Sequence, residues 1–431
     1  MSWLCIHPWS HLNITPSGNI RLCCHHRSSK TTNDSDSESY FGNLKDNSIE
    51  EIFNGPDMKR VRQQMLKGEA PPECIKCDRI ERMPAQSPRQ RELERSYSKD
   101  VLDNYVTSTQ ADGTANYSLK YWDLRFSNVC NMSCVMCSSN WSSQWITNSK
   151  QYTKKFTDIK IKNDFNLRSF VAENIVGRDT KITELNDFHW VDDNIDQVEN
   201  IYFAGGEPLI MPSHWYILDK LHKEKRFDVK IKYNTNMSKL TYAGKNAIDY
   251  WKDWPKSKLR VEASIDETEH RAEWIRYGTN WDTIKNNILA VQRADIMMRP
   301  IVSVGAYNIL RLPELVRELS DLFKVEVFLN LVTTMCWQIE NINYQDRIQL
   351  IPKIKEVEHL LHTGGLKVLY YKLQQPQIPS RKKNGISLMM ARCALLDINR
   401  KQNSMDTILG FREVNQRSGY VYDQKVKEYS E

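Results

Sequence analysis

The sequence turns on residues 121–140, YWDLRFSNVCNMSCVMCSSN, in which a short strand-like run leads into Cys130, Cys134 and Cys137. The spacing is CxxxCxxC on a loop. Three thiolates cannot close a four-coordinate zinc site, but they can hold three irons of a 4Fe-4S cube and leave the fourth iron open. An open iron implies a ligand from outside the chain. Two plainer readings compete: a group of buried thiols, and a zinc site completed by a distant residue such as Cys336 or a histidine.

Working outward, short apolar runs alternate with amphipathic ones. Strands are expected at 118–127, 200–205, 230–236, 259–266, 300–308 and 325–333. Helices are expected between them, at HWYILDKLHKEK, AGKNAIDYWKDW, TIKNNILAVQRA and PELVRELSDLF. Parallel neighbours need a crossover of about a dozen residues or more, so this alternation implies a parallel sheet. The expected fold class is α/β, a partial (β/α)6 TIM-like barrel, preceded by a small N-terminal cysteine-rich metal-cluster module.

Chemistry on such barrels gathers at the C-terminal ends of the strands. The cysteine loop follows the first strand. After the second comes Ala204-Gly205-Gly206-Glu207-Pro208, whose glycines permit close backbone approach and whose carboxylate can accept from an ammonium. The third strand ends in Asn234-Thr-Asn236 and the fourth in Ser264-Ile-Asp266, polar groups able to line a pocket. Arg276 stands beyond them and can grip a carboxylate bidentately, with Arg271 as competitor; either also reads as a surface ion-pair residue.

CxxxCxxC followed one strand later by Gly-Gly-Glu-Pro resembles the radical S-adenosylmethionine (radical SAM) enzymes, over about residues 118–335. The resemblance implies that Cys130, Cys134 and Cys137 bind the cluster that cleaves the cofactor to a 5′-deoxyadenosyl radical. It places Gly205, Gly206 and Glu207 along the methionine amino group, Ser264 and Asp266 at the ribose, and Arg276 at the carboxylate. Asn234 is a further pocket-lining candidate. Relatives usually carry an aromatic beside the adenine where this chain has Met136, an apolar, polarizable side chain that can still pack on a purine edge.

Eight of the ten cysteines precede residue 140. Besides the three above they are Cys5, Cys23, Cys24, Cys74 and Cys77. Pro16-Ser-Gly18-Asn is a turn signal that would fold a hairpin and bring Cys5 near Cys23, and a helix is expected from about 48 to 67 before the CxxC. Four thiolates could then converge on iron-sulfur or on zinc. The pattern of Cys5, Gly18 and Cys23 with Cys74 and Cys77 resembles SPASM or twitch modules, which carry an auxiliary iron-sulfur cluster. It departs from them in preceding the core and in lacking the further cysteines of a full set. The glycine spacing selects Cys23 over Cys24 as the ligand.

The bulk properties exclude some classes. A length of 431 residues predicts two or three domains, and 40% hydrophobic with 26% charged residues reads as soluble and globular. A net charge of +6 does not argue for nucleic-acid binding. No apolar run approaches the roughly 18 residues of a membrane span, and the opening MSWLCIHPWSHL lacks a signal-peptide pattern, so a cytoplasmic location is expected. Cysteines in a reducing cytosol point to metal chemistry before disulfides; Cys336 and Cys393, standing apart, are expected to be buried thiols.

The expected divisions are 1–80 for the module, 81–117 for a linker, 118–345 for the barrel and 346–431 for a helical extension. Residues 31–40 read as an exposed loop, the arginines within 78–118 as solvated, and 138–199 as a long insertion, substrate-facing or solvated. The expected activity is hydrogen abstraction from a peptide or protein side chain, with a reductant such as a ferredoxin or flavodoxin as partner. The alternatives are a small-metabolite or nucleoside substrate, or a zinc-stabilised binding protein.

Overall fold

The structure, a computed structural model, describes residues 3–26, 40–82, 86–95, 99–148, 188–375, 379–418, 422–423 and 426–427. The loop expected at 31–40 lies almost wholly outside the described residues, as does the middle of the 138–199 insertion. The chain forms two compact units, each assembled from discontinuous segments: Met1–Asn128 with Ile182–Asn234 and Thr241–Arg260, and Val129–Lys181 with Thr235–Leu240 and Val261–Glu431.

The eight strands of the main sheet are β1 His11–Ile14, β2 Ile20–Arg21, β3 Tyr121–Leu124, β4 Asn200–Phe203, β5 Lys230–Thr235, β6 Leu259–Ser264, β7 Met298–Val304 and β8 Phe328–Leu331. The six expected core strands are all present and mostly shorter than the apolar runs that announce them. In the first unit β1, β3, β4 and β5 pair in parallel, and β2 turns back antiparallel on β1. Residue alternation gives this sheet one apolar face: Trp122, Ile201 and Ile231 lie side by side in register, followed by Leu124, Phe203 and Tyr233, all buried. Each such side chain contributes about 1.5–3 kcal/mol by leaving water.

Helix Pro212–Lys223 meets that face. Its proline sits where a missing N–H does no harm, and lysines and a histidine fill its last turn, opposite the helix dipole. The buried His214 ring packs edge-on against Phe203 at 4.8 Å, and its Nε2 lies 2.9 Å from the Tyr233 hydroxyl. Burial lowers the His214 pKa to about 3, with Lys245 adding to the effect.

The N-terminal hairpin forms as its turn predicts, with Gly18 at φ +82° and its N–H donating to the Thr15 carbonyl. That β1 extends the core sheet beside β3 carries no local sequence signal. The helix expected over 48–67 is two helices. Ser48 and Glu51 make a capping box for Ile49–Phe53, and Gly55-Pro56 ends that piece and starts Pro56–Leu66. A proline cannot donate to the preceding turn, so the helix restarts there.

In the second unit β6, β7 and β8 run parallel. Helix Trp281–Arg293 starts from an Asn280 cap, its side chain accepting from Thr283 N–H. The C-terminal segment is helical as expected, at Tyr344–Glu356, Thr363–Gln374 and Pro379–Arg400, the last beginning earlier than its apolar pattern suggests. Buried Asp397 on that last helix accepts from Trp274 Nε1 at 2.6 Å, Ser404 N–H at 2.7 Å and the Tyr422 hydroxyl.

Candidate iron-sulfur and cofactor site

Cys130 and Cys134 are buried and Cys137 is half-buried, and all three belong to the second unit. Backbone geometry draws them together: Cys137 N–H donates to the Cys134 carbonyl at 3.0 Å. Ser133–Cys134 pairs antiparallel with Arg276–Tyr277, and Val135 N–H donates to the Ile275 carbonyl at 2.8 Å. Trp145 Nε1 donates to the Cys134 carbonyl at 3.0 Å. Arg400 reaches in from the C-terminal helix, donating to the Ser133 carbonyl at 2.6 Å and the Trp274 carbonyl at 3.2 Å. Asn131 is clamped by Asn236 Nδ2 at 3.0 Å and by the Ser238 hydroxyl at 2.8 Å.

Gly278 abuts the same loop. Its φ of +100° suits glycine, and a Cβ there would stand 2.7 Å from the Asn131 carbonyl oxygen. The protein thus shapes the loop from several directions.

Arg276 is the cation nearest the loop's thiols. Arg276 Nη1 lies 3.9 Å from Cys134 Sγ, while its Nε lies 2.7 Å from Asp266 Oδ2. Burial works against the Arg276 charge, but Asp266 and Cys134 outweigh it and raise its pKa. Burial pushes the Cys137 thiol up, with Cys134 and Cys130 adding to the shift, so the three sulfurs are electrostatic neighbours. Among the described residues no three His, Cys, Asp or Glu side chains close on a point able to hold a single ion.

Other predicted residues fall as follows. Ser264 ends β6 in register with Ile301. Asp266 is fully buried, its Oδ1 accepting from Ser303 N–H at 2.7 Å. Arg271 pairs with Glu267 at 3.2 Å and Glu269 at 3.5 Å, whereas Arg276 is the arginine at a cluster cysteine. Met136 is half-buried.

Gly205, Gly206, Glu207 and Asn234 belong to the first unit. Gly205 has φ +115°, and an added Cβ would stand 3.3 Å from the Arg125 Cα. Gly206 N–H donates to the Ser127 carbonyl at 3.4 Å, and the buried Glu207 carboxylate accepts from Leu209 N–H at 3.2 Å. Asn234 is half-buried near the end of β5.

The N-terminal cysteines make a second site, wholly within the first unit. Cys5, Cys23, Cys74 and Cys77 line one cavity together with His7 and Arg89. Burial raises the Cys5 pKa to about 12, and Cys77 adds to the shift; Cys23 is raised by burial and then by Cys24, Cys5 and Cys74. Cys24 is raised by burial and then by Asp123, with Arg125, Lys76 and Lys232 opposing, and it does not line the cavity. Four thiols around one cavity match the ligand count of a cluster with all its irons ligated.

Arg89 corrects one expectation. Read as solvated, it is only 8% exposed, because its guanidinium grips Glu81 through two nitrogens and donates to the Leu4 carbonyl at 2.7 Å. Cys336 and Cys393 are buried as expected, with Arg392 Nη1 2.6 Å from Cys336 Sγ. Arg400, Asn131 and Gly278 escaped the sequence reading; only Gly278, following Arg276-Tyr277, left a local trace.

Residues 124–319 match the radical SAM superfamily model, and residues 5–78 match SPASM, an iron-sulfur cluster-binding domain. Residues 124–319 thus carry a radical SAM domain, with an SPASM-type module at its N-terminal side, and the α/β partial-barrel class follows. The cofactors of these families are 4Fe-4S clusters and S-adenosylmethionine. Among solved structures it is similar to anSMEcpe with bound AdoMet, at 13% identity and TM-score 0.37 over 56% of this chain and 59% of that one. It is also similar to Streptococcus suis SuiB bound to precursor peptide SuiA, at 12% identity and TM-score 0.35 over 69% of this chain and 63% of that one. The match therefore spans about three fifths of the length of these relatives. No curated protein sequence matches the chain. Among the described residues no helix is long and apolar enough to cross a membrane.

Proposed function

We propose that this chain cleaves S-adenosylmethionine reductively and directs the resulting radical at a side chain of a peptide or protein. The observation that carries the reading is Arg276 poised between Cys134 and Asp266, a carboxylate-binding group beside a three-cysteine loop. When bound, the cluster and cofactor supply an electron transfer that breaks a carbon–sulfur bond and yields a 5′-deoxyadenosyl radical able to remove hydrogen from substrate.

The chain's own residues do the rest. Cys130, Cys134 and Cys137 hold three irons; Arg276 takes the cofactor carboxylate and Glu207 its ammonium. Gly205 and Gly206 let backbone approach that end, Ser264 and Asp266 take the ribose hydroxyls, and Met136 and Asn234 line the pocket. Cys5, Cys23, Cys74 and Cys77 hold the auxiliary cluster. A peptide substrate is supported by the presence of the SPASM-type module, which in this family often accompanies peptide modification.

The functional division we propose is 1–80, 81–117, 118–345 and 346–431, with a cytoplasmic location and a ferredoxin- or flavodoxin-like electron donor. The test is iron and acid-labile sulfide per chain after anaerobic reconstitution, beside 5′-deoxyadenosine formation with dithionite. About eight irons, falling to about four in a Cys130→Ala/Cys134→Ala/Cys137→Ala variant, is the expected result. Absence of iron from both proteins, or iron-loaded protein that forms no 5′-deoxyadenosine, refutes the reading.

A further inference from the structure

Two of the cysteines on the N-terminal cavity are each followed, two positions on, by a histidine: Cys5-Ile-His7 and Cys23-Cys-His25. The structure gives the repetition a meaning. His7 opens a short helix and His25 lies four residues beyond β2, yet both line the cavity that the four thiols line. Two separate segments thus deliver a ligand and an imidazole together.

Both rings carry an unanswered atom. His7 is 8% exposed and His25 is half-buried, and in each the buried Nδ1 has no hydrogen-bond partner among the described residues. Buried polar atoms are ordinarily paired, so two exceptions on one cavity call for a partner held inside it. Neither ring is loose. His7 is wedged between His11 and Tyr121, at 4.3 and 6.0 Å between ring centroids, and the His25 backbone N–H donates to Cys23 Sγ at 3.4 Å.

The rest of the lining narrows the choice of partner. Its two charged side chains are engaged elsewhere, Glu73 with Arg60 and Arg89 with Glu81, so the imidazoles are the polar groups left to face what the cysteines hold. A neutral imidazole has one N–H to give, and the sulfurs of an iron-sulfur cluster are anionic acceptors. Ligation fits less well, because four thiolates already complete the irons. Hydrogen bonds to those sulfurs favour the more negative, reduced state and so raise the potential.

We propose that His7 and His25 each donate from Nδ1 to a sulfur of the auxiliary cluster and hold its reduction potential up, as hydrogen-bond donors and not as ligands. The proposal rests on the auxiliary-cluster reading above.

The test uses full-length protein carrying Cys130→Ala/Cys134→Ala/Cys137→Ala, reconstituted so that the N-terminal cluster alone supplies the signal, in a mediated redox titration followed by electron paramagnetic resonance. His7→Phe and His25→Phe should each keep about four irons. Each should move the one-electron equilibrium toward the oxidised cluster by about tenfold, a drop of about 59 mV. His7→Asn and His25→Asn, whose amide nitrogen stands where Nδ1 stood, should stay within about twofold of the parent. An unaltered potential in either phenylalanine variant, or an equal drop in its asparagine counterpart, overturns the proposal. Loss of the iron from a phenylalanine variant overturns it in favour of a ligand. So does an equal drop in His11→Phe in favour of packing, since the His11 ring also has an unpaired buried Nδ1 but does not line the cavity. Failure of the cluster reading registers separately, as a parent protein without N-terminal iron, and takes the proposal with it.

Discussion

Gly278 shows how much one hydrogen atom can decide. Replacing it with alanine puts a methyl carbon 2.7 Å from the Asn131 carbonyl, in a backbone conformation that side chains rarely adopt. The loop bearing Cys130 and Cys134 must shift, at a penalty of about 1–3 kcal/mol. Gly278→Ala should lose core-cluster iron on gel filtration while the N-terminal site keeps its own; retention of both sets contradicts the argument. Arg400→Gln should act on the same loop, removing a charged donor from the Ser133 carbonyl at about 1–3 kcal/mol and lowering the thermal midpoint of the iron-loaded protein. The cysteines were legible because metal chemistry demands a spacing that chance seldom supplies. Arg400 was not, since its partner lies 267 residues away and nothing local to either residue announces the contact.

Among the elements, the six core strands were legible because alternation and apolar runs are local properties. The join of β1 to β3 was not, since any edge strand offers the same donors and acceptors. Gly55-Pro56 was overrun for a different reason: the amphipathic pattern continues across it, so periodicity argued for one helix where the missing N–H made two.

The helix Pro212–Lys223 gives a prediction in pH. Its buried His214 has a folded pKa of about 3, below the ordinary 6.5, so the folded state resists protonation. Its contribution is complete above about pH 6.5 and is lost as pH falls toward 3, at up to about 1.4 kcal/mol per pH unit. Thermal midpoints at pH 7.5 and 5.5 should therefore differ more for the wild type than for His214→Gln. Identical differences would mean that this ring is not what the acid attacks.

For the molecule as a whole, the composition set the class and the cysteine groups set the chemistry, but the units could not be read in chain order. Each is built from segments that the sequence interrupts, and only three-dimensional contact reveals the grouping. The two cysteine sets fall one to each unit. Loading should then be separable: Cys5→Ala/Cys77→Ala should remove about four irons of eight and leave the cluster that the core cysteines hold. Loss of all eight would tie the two sites into one assembly step.

The grip of Arg400 on the cysteine loop also sets an order of events in time. A ribosome delivers Ser133 long before it delivers residue 400, so during synthesis the core cysteines emerge without the guanidinium that holds their loop. The N-terminal cysteines face no such wait, because every residue of their unit precedes 261. Iron delivery to the core would therefore follow iron delivery to the N-terminal site. A chain stopped at residue 378 should carry auxiliary iron alone.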